Sequence, residues 1–140
     1  MIKTASRYAL LALILVPGAR PASGGVVVIG HASLAGKIDG PTVQKIFTGK
    51  VIEVGGVSVT AVNANLGSAL RDRFLQEFLH QNEEKYTAYW TVRRYIGKGV
   101  PPREMTTSAD IIKFVTSTPG AVGYIDESDV KPGLNVLLQK

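Results

Sequence analysis

The chain has 140 residues, of which 45% are hydrophobic and none is cysteine. This length suggests one domain with enough apolar residues for a core, and the missing cysteines exclude disulfides and thiolate metal sites. The formal charge is +5, but Lys3, Arg7 and Arg20 lie in the N-terminal segment. Without them, 13 basic and 11 acidic residues leave a net charge of +2. No basic stripe with interleaved aromatic residues remains, so we expect no nucleic-acid partner.

The N-terminal segment has the order of a secretory signal peptide. Basic residues in MIKTASR are followed by the apolar run YALLALILV, Tyr8 to Val16, and then by PGARPASG. The apolar run is too short to span a bilayer, so we expect cleavage between Ala19 and Gly25 and no membrane span afterwards. An uncleaved anchor or a buried strand is the alternative. The predicted domains are a signal peptide at 1–24, with an approximate boundary, and an α/β domain at 25–140.

The first mature segment predicts a buried strand and a short helix. GVVVIG, 25 to 30, is a continuous β-branched run, typical of a strand buried on both faces. In GPTVQKIFTGK, Pro41 suits the first turn of a helix and Gly49 suits its end. Val43, Ile46 and Phe47 have the spacing of one apolar helix face.

The middle of the chain predicts a turn, a strand and two helices. Gly55-Gly56 is a turn signal, and the alternation in VSVTAV indicates a strand. GSALRDRFLQEFLHQ follows as a helix with Ser68 as its N-cap. Asn82 is expected to cap the next helix, EEKYTAYWTVRRYIG, whose Glu83 and Glu84 suit the positive end of the helix dipole.

The last third predicts a loop, a helix and two strands. GKGVPPRE, 97 to 104, is expected to be loop because it contains two glycines and a Pro-Pro pair. TSADIIKFVTSTPG predicts a helix capped by Thr107 or Ser108, and AVGYID and LNVLLQ predict strands on either side of a polar turn. Alternating strands and helices indicate an α/β fold with a mixed, mostly parallel sheet flanked by helices.

The stretch VNANLGSALRDRFLQEFL, 62 to 79, contains the candidate site. A helix N-terminus presents free N–H groups and partial positive charge, which favour anions. Gly67 allows close approach, Ser68 adds a hydroxyl, and Asn63, Asn65 and Arg71 could add donors. The alternative is that Ser68 only caps the helix, Gly67 only turns the chain and Arg71 is a solvated charge.

Other patterns point to no catalytic or metal site. His31 and His80 lack metal-ligand spacing, and no known catalytic motif occurs, so we predict no enzyme, no metal and no cofactor. The acidic residues of DESD, 126 to 129, are expected to form a solvated turn. Tyr86, Tyr89, Trp90 and Tyr95 are expected mostly to pack on the sheet.

Three ordered stretches resemble the second lobe of bacterial phosphate-binding proteins of ABC transporters. They are GPTVQKIFTGKV, VNANLGSALRDRFLQEFL and TSTPGAVGYID, and together they cover about residues 26 to 126. The chain also resembles short, single-lobe secreted members of that group. The resemblance implies one lobe of a periplasmic-binding-protein-like (type II) fold, a periplasmic or secreted location and a role in phosphate transport.

The resemblance further implies that Gly67 and Ser68 occupy the phosphate-loop positions of the family. The candidate oxyanion-binding residues are therefore Gly67, Ser68, Asn63, Asn65, Ala69 and Arg71. This chain departs from the family pattern because Ala69-Leu70 replaces Gly-Thr, and because Asn63, Ala64 and Asn65 stand where the family has an arginine a few residues before the Gly-Ser pair. Two hypotheses follow. The chain binds phosphate or a similar oxyanion, or it keeps the fold and serves a protein partner of the cell envelope or a homodimer.

Overall fold

The computed structural model describes residues 25–140, so the predicted signal peptide lies outside the described residues. Seven strands form: β1 Val26–Gly30, β2 Glu53–Val54, β3 Val57–Ser58, β4 Thr60–Ala64, β5 Arg103–Met105, β6 Ala121–Asp126 and β7 Asn135–Gln139. Four α-helices form: α1 Gly40–Phe47, α2 Ala69–Phe74, α3 Glu83–Tyr95 and α4 Ser108–Ser117. A π-helical turn, Leu75–Leu79, extends α2, and a 3₁₀ turn, Glu127–Asp129, follows β6.

The central sheet is mixed and mostly parallel, which confirms the predicted fold class. Its strand order is β5-β4-β6-β1-β7, and β2 and β3 form a separate hairpin. β4 runs parallel to β5 and β6, whereas β1 runs antiparallel to both of its neighbours. Four of the five strands therefore point in one direction. All residues of β1 are buried, as its unbroken β-branched run predicts for a strand covered on both faces.

Three of the four α-helices start at predicted capping residues, and α1 starts after Asp39, which was not predicted as a cap. The side chains of Asp39, Ser68, Asn82 and Thr107 each accept a backbone N–H from the first turn of α1, α2, α3 and α4, respectively. Such a cap satisfies a donor that has no partner inside the helix. Because these are interactions over three residues, the local sequence was sufficient to predict the caps of α2, α3 and α4.

One prediction about local structure is wrong, and a second differs in detail. Residues 103 and 104 were assigned to a loop, but Arg103–Met105 pairs in parallel with Val62, Asn63 and Ala64 as the edge strand β5. The two prolines precede the strand, at an edge where missing N–H donors are tolerated. The second difference concerns the helix after Ser68. It widens into a π-helical turn from Leu75 and ends at His80, which has a left-handed φ of 55°.

The core is centred on aromatic rings contributed by α1, α2 and β6. The Phe74 ring stacks on Tyr124 with 3.8 Å between centroids, and Phe47 contacts Phe74 edge-on at 4.7 Å. Tyr86 and Trp90 of α3 are also buried, as expected. Tyr95 differs from the expectation because its side chain is 92% exposed. The predicted packing of the aromatic helix therefore holds for its first turns only.

Two glycines of TPGAVGYI are needed for packing. Gly120 has a φ of +74°, and a Cβ atom there would overlap the carbonyl oxygen of Ser58. Gly123 lies on β6 beneath α4, where a Cβ atom would come within 2.9 Å of Ile111. The two glycines of this stretch, which resembles the phosphate-binding family, are therefore required by backbone conformation and packing, independently of any ligand.

Among residues 25–140, no helix is both long and apolar enough to cross a membrane.

Candidate functional site

The candidate site begins at the loop that joins β4 to α2. The Ser68 N–H donates to the Asn65 carbonyl at 3.0 Å, which closes a tight turn, and Gly67 has a φ of +84°. The Ser68 hydroxyl oxygen accepts the Arg71 backbone N–H at 3.2 Å. The hydroxyl proton of Ser68 has no acceptor among the described residues and can be donated to a ligand.

Several backbone donors of this loop are open. The N–H groups of Gly67, Ala69 and Leu70 have no hydrogen-bond partner within the described part of the chain. Gly67 and Ala69 are exposed, and Leu70 is half-buried. Free N–H groups at the start of a helix carry partial positive charge. The loop can therefore offer a ligand two or three amide donors and one hydroxyl.

One oxyanion oxygen is already bound beside the loop. Oε1 of Glu104 accepts the Leu66 backbone N–H at 2.7 Å and the Arg71 Nη1 at 2.9 Å. We call these two donors, the Leu66 N–H and Arg71 Nη1, the cradle. Charged hydrogen bonds of this length are among the stronger ones in proteins. Glu104 is on the edge strand β5, and its side chain is 46% exposed.

Arg71 is buried and is held by two carboxylates. Its Nε and Nη2 donate to the two oxygens of Glu83 at 2.8 and 2.6 Å, a bidentate pair, and Nη1 also reaches the Ala64 carbonyl at 3.3 Å. Burial disfavours the charged guanidinium, but Glu83 and Glu104 outweigh this effect and raise the pKa of Arg71 above its ordinary value. One cation and two carboxylates leave this cluster with a net charge of −1.

Asn63 is turned away from the loop and into the core. Its side-chain amide donates to the Tyr86 hydroxyl at 3.1 Å, and its oxygen accepts the Tyr124 hydroxyl at 3.1 Å. The Ala64 N–H in turn donates to Tyr124 at 3.0 Å. Burial raises the pKa of both tyrosines. Because buried polar groups need partners, this network accounts for Asn63 without a ligand and fixes the end of β4.

The structure thus brings together five of the six predicted residues. Asn65, Gly67, Ser68, Ala69 and Arg71 form one loop and helix start, whereas Asn63 faces the core. Sequence reasoning missed Glu104 and assigned Glu83 only to the dipole of α3. These residues are 33 and 12 positions from Arg71. Only the parallel pairing of β4 with β5 could have indicated Glu104, and that strand was not predicted.

No cluster of His, Asp or Glu side chains suited to a metal ion occurs in the described range 25–140. His31 Nδ1 is hydrogen-bonded to Ser33 at 2.8 Å, and His80 is exposed at the end of the π-helical turn. Neither histidine contributes to the loop site.

Comparison with known proteins identifies the fold. No protein-family model and no curated protein sequence match the chain. Among solved structures, it is similar to an ABC-type phosphate transport receptor from Vibrio cholerae, with a TM-score of 0.62 and 14% identity. It is also similar to a protein from Clostridium perfringens, described as a phosphate ABC transporter substrate-binding protein with bound phosphate, with a TM-score of 0.63 and 22% identity.

A third similar structure is PstS from Borrelia burgdorferi, with a TM-score of 0.60 and 16% identity. Each similarity covers 81% of this chain but only 44 to 46% of the other protein. The chain therefore has a fold similar to that of phosphate-transport substrate-binding proteins, over somewhat less than half of their length.

Proposed function

We propose that the chain is a solute-binding-protein-like module that binds phosphate or a similar oxyanion at the loop between β4 and α2. One observation carries the proposal: the cradle already holds a carboxylate oxygen of Glu104, at 2.7 and 2.9 Å from its two donors. A phosphate oxygen has the same charge-assisted acceptor chemistry. The ligand of one similar protein, phosphate, supports this choice of oxyanion.

In this proposal, the ligand replaces Glu104 in the cradle. Its remaining oxygens face the Ser68 hydroxyl and the open N–H groups of Gly67 and Ala69. Arg71 stays paired with Glu83. Once Glu104 has left the cradle, the charges of Arg71 and Glu83 cancel, so the ligand meets a neutral pair rather than a net negative charge. Because the loop is exposed to water, each hydrogen bond contributes less than it would in an enclosed site. We expect a dissociation constant on the order of 1 mM.

The proposal includes the location and the class of the protein. We place the module in the periplasm or among secreted envelope proteins, in agreement with the predicted signal peptide and with the transport role of the similar structures. Binding and release need no chemical step, so we propose no enzymatic activity and no cofactor.

Calorimetric titration with phosphate and with sulfate at low ionic strength tests this function. Ser68→Ala removes a hydroxyl donor from the site as well as a helix cap. Asp39→Ala is the control, because it removes the cap of α1, which lies beside β7 at the sheet edge opposite to β5. We expect saturable heat with the parent protein and with Asp39→Ala, and a clear loss with Ser68→Ala. Absence of saturable binding of both anions at millimolar concentration contradicts the proposal.

A second candidate function, a protein interaction, is favoured by an exposed apolar surface. Val92, Tyr95, Ile96 and Val100 are 57 to 92% exposed at the end of α3 and in the following loop. Exposed apolar residues in a group often mark an interface. Light scattering coupled to size exclusion tests this candidate. A dimer that dissociates in Ile96→Ser favours it, and a monomer at every concentration without an envelope partner contradicts it.

A further inference from the structure

An apolar groove adjoins the oxyanion site and shares Arg71 with it. The groove has a volume of about 410 Å³, within the roughly 300–1,000 Å³ typical of small-molecule sites. Its walls are formed by α3 and by the loop that precedes β5. The lining residues are Arg71, Tyr86, Thr87, Trp90, Thr91, Arg94, Tyr95 and Pro101.

The groove has the chemistry of a site for flat apolar groups. Tyr86 and Trp90 form its buried part, and the ring of Tyr95 is almost fully exposed. Pro101 contributes a further apolar surface. Rings and proline faces of this kind favour contact with another planar apolar group. A ring bound here would cover the Tyr95 surface that is otherwise in water.

Charge favours an anion in the groove. Two of its lining residues are arginines and none is acidic. Arg71 is neutralised by its carboxylate partners, but the Arg94 guanidinium has no ion-pair or hydrogen-bond partner among residues 25–140. The threonine hydroxyls are committed as donors, from Thr87 to Glu83 and from Thr91 to the Thr87 carbonyl. Among the described residues, two unpaired groups of the lining, the Arg94 guanidinium and the buried Trp90 Nε1, are therefore both donors.

We infer that the ligand of this module is an organic oxyanion with a flat apolar body, such as an aryl phosphate, rather than inorganic phosphate alone. This inference rests on the proposed function. The anionic head takes the cradle from Glu104, and the apolar body lies in the groove against Tyr95 and Pro101. Arg94, which also lines the groove, adds a positive charge along the path of the apolar body.

Phenyl phosphate and inorganic phosphate, titrated separately into the purified protein, test the inference. We expect phenyl phosphate to bind on the order of tenfold more tightly, because one ring gains a buried aromatic contact. Tyr95→Ser should remove this preference and leave the binding of inorganic phosphate unchanged. Val92→Ser is the matched control, since Val92 is an exposed apolar residue of α3 that does not line the groove.

The outcomes separate the inference from the proposed function. Equal affinity for the two anions overturns the inference and leaves phosphate binding in place. Binding of neither anion overturns both. A dimer that covers the groove and dissociates in Tyr95→Ser also overturns the inference, because the occupant is then a second copy of the chain. Preference for phenyl phosphate that survives Val92→Ser but not Tyr95→Ser supports it.

Discussion

Arg71 shows how burial changes the role of a single residue. From the sequence, it was either a solvated charge or a ligand donor. In the fold it is 7% exposed and binds both Glu83 and Glu104. The bidentate pair with Glu83 ties α2 to α3, and the single hydrogen bond from Nη1 to Glu104 ties α2 to β5. Arg71 therefore stabilises the site before any ligand arrives.

We expect Arg71→Ala to lower the free energy of unfolding by about 2–3 kcal/mol, somewhat less than the full cost of breaking a buried pair because Glu83 and Glu104 remain partly hydrated. Urea unfolding followed by circular dichroism measures this change. Arg94→Ala is the control, because Arg94 is exposed and forms no ion pair with any of residues 25–140, and it should cost at most about 0.5 kcal/mol. Equal losses in the two variants would show that the ion pairs contribute no net stability.

Asp126 gives the fold a dependence on acid pH. Partial burial opposes its ionisation, but hydrogen bonds from Ser128 and Arg73 outweigh this and hold the pKa of Asp126 at about 2, below 3.8. A carboxyl group whose pKa is lower in the folded state stabilises that state at pH values above its unfolded pKa. This stabilisation is lost as the pH falls through the folded-state pKa. The stability difference between the parent protein and Asp126→Asn should therefore shrink from about pH 4 to about pH 2. Exposed Glu84→Gln serves as the control, and a difference independent of pH contradicts this assignment.

At the scale of elements, caps were predictable from the sequence and edge pairing was not. Ser68 and Asn82 act on N–H groups three residues away, so their neighbours in sequence determine the result. β5 has only three residues and follows Pro101-Pro102, and its pairing partner β4 is about 40 residues earlier in sequence. Pairing with β4 therefore outweighed the local preference for a loop. Because the strand was not predicted, the role of Glu104 in the site was not predicted either.

The connection between α4 and β6 depends on Gly120. We expect Gly120→Ala to lower the free energy of unfolding by more than about 2 kcal/mol, since a Cβ atom adds both an unfavourable φ and an overlap with Ser58. Gly133→Ala has the same left-handed φ cost with nothing within 4 Å. It should cost only about 1–2 kcal/mol. Thermal unfolding compares the two variants, and equal losses would mean that the overlap relaxes freely.

At the scale of the whole molecule, the order of strands and helices was sufficient to predict the α/β class and the mostly parallel sheet. The location of the candidate loop followed from the same pattern. What the sequence could not provide is the occupant of the cradle, because Glu104 reaches it through the packing of distant elements. Gly67 and Ala69 of the loop are exposed to water, and the chain spans less than half of the length of the similar phosphate-transport proteins.

The most direct measurement is a phosphate titration followed by NMR of the Leu66 and Gly67 amides, in the parent protein and in Glu104→Ala. Asp110→Asn is the control, since it removes the same charge from a shared surface depression without contacting the cradle. We predict saturable shifts in all three proteins. Glu104→Ala should bind phosphate roughly tenfold more tightly, because the two cradle donors, the Leu66 N–H and Arg71 Nη1, no longer have to be released from a carboxylate. Amides that do not shift in either the parent protein or Glu104→Ala would contradict oxyanion binding at this loop.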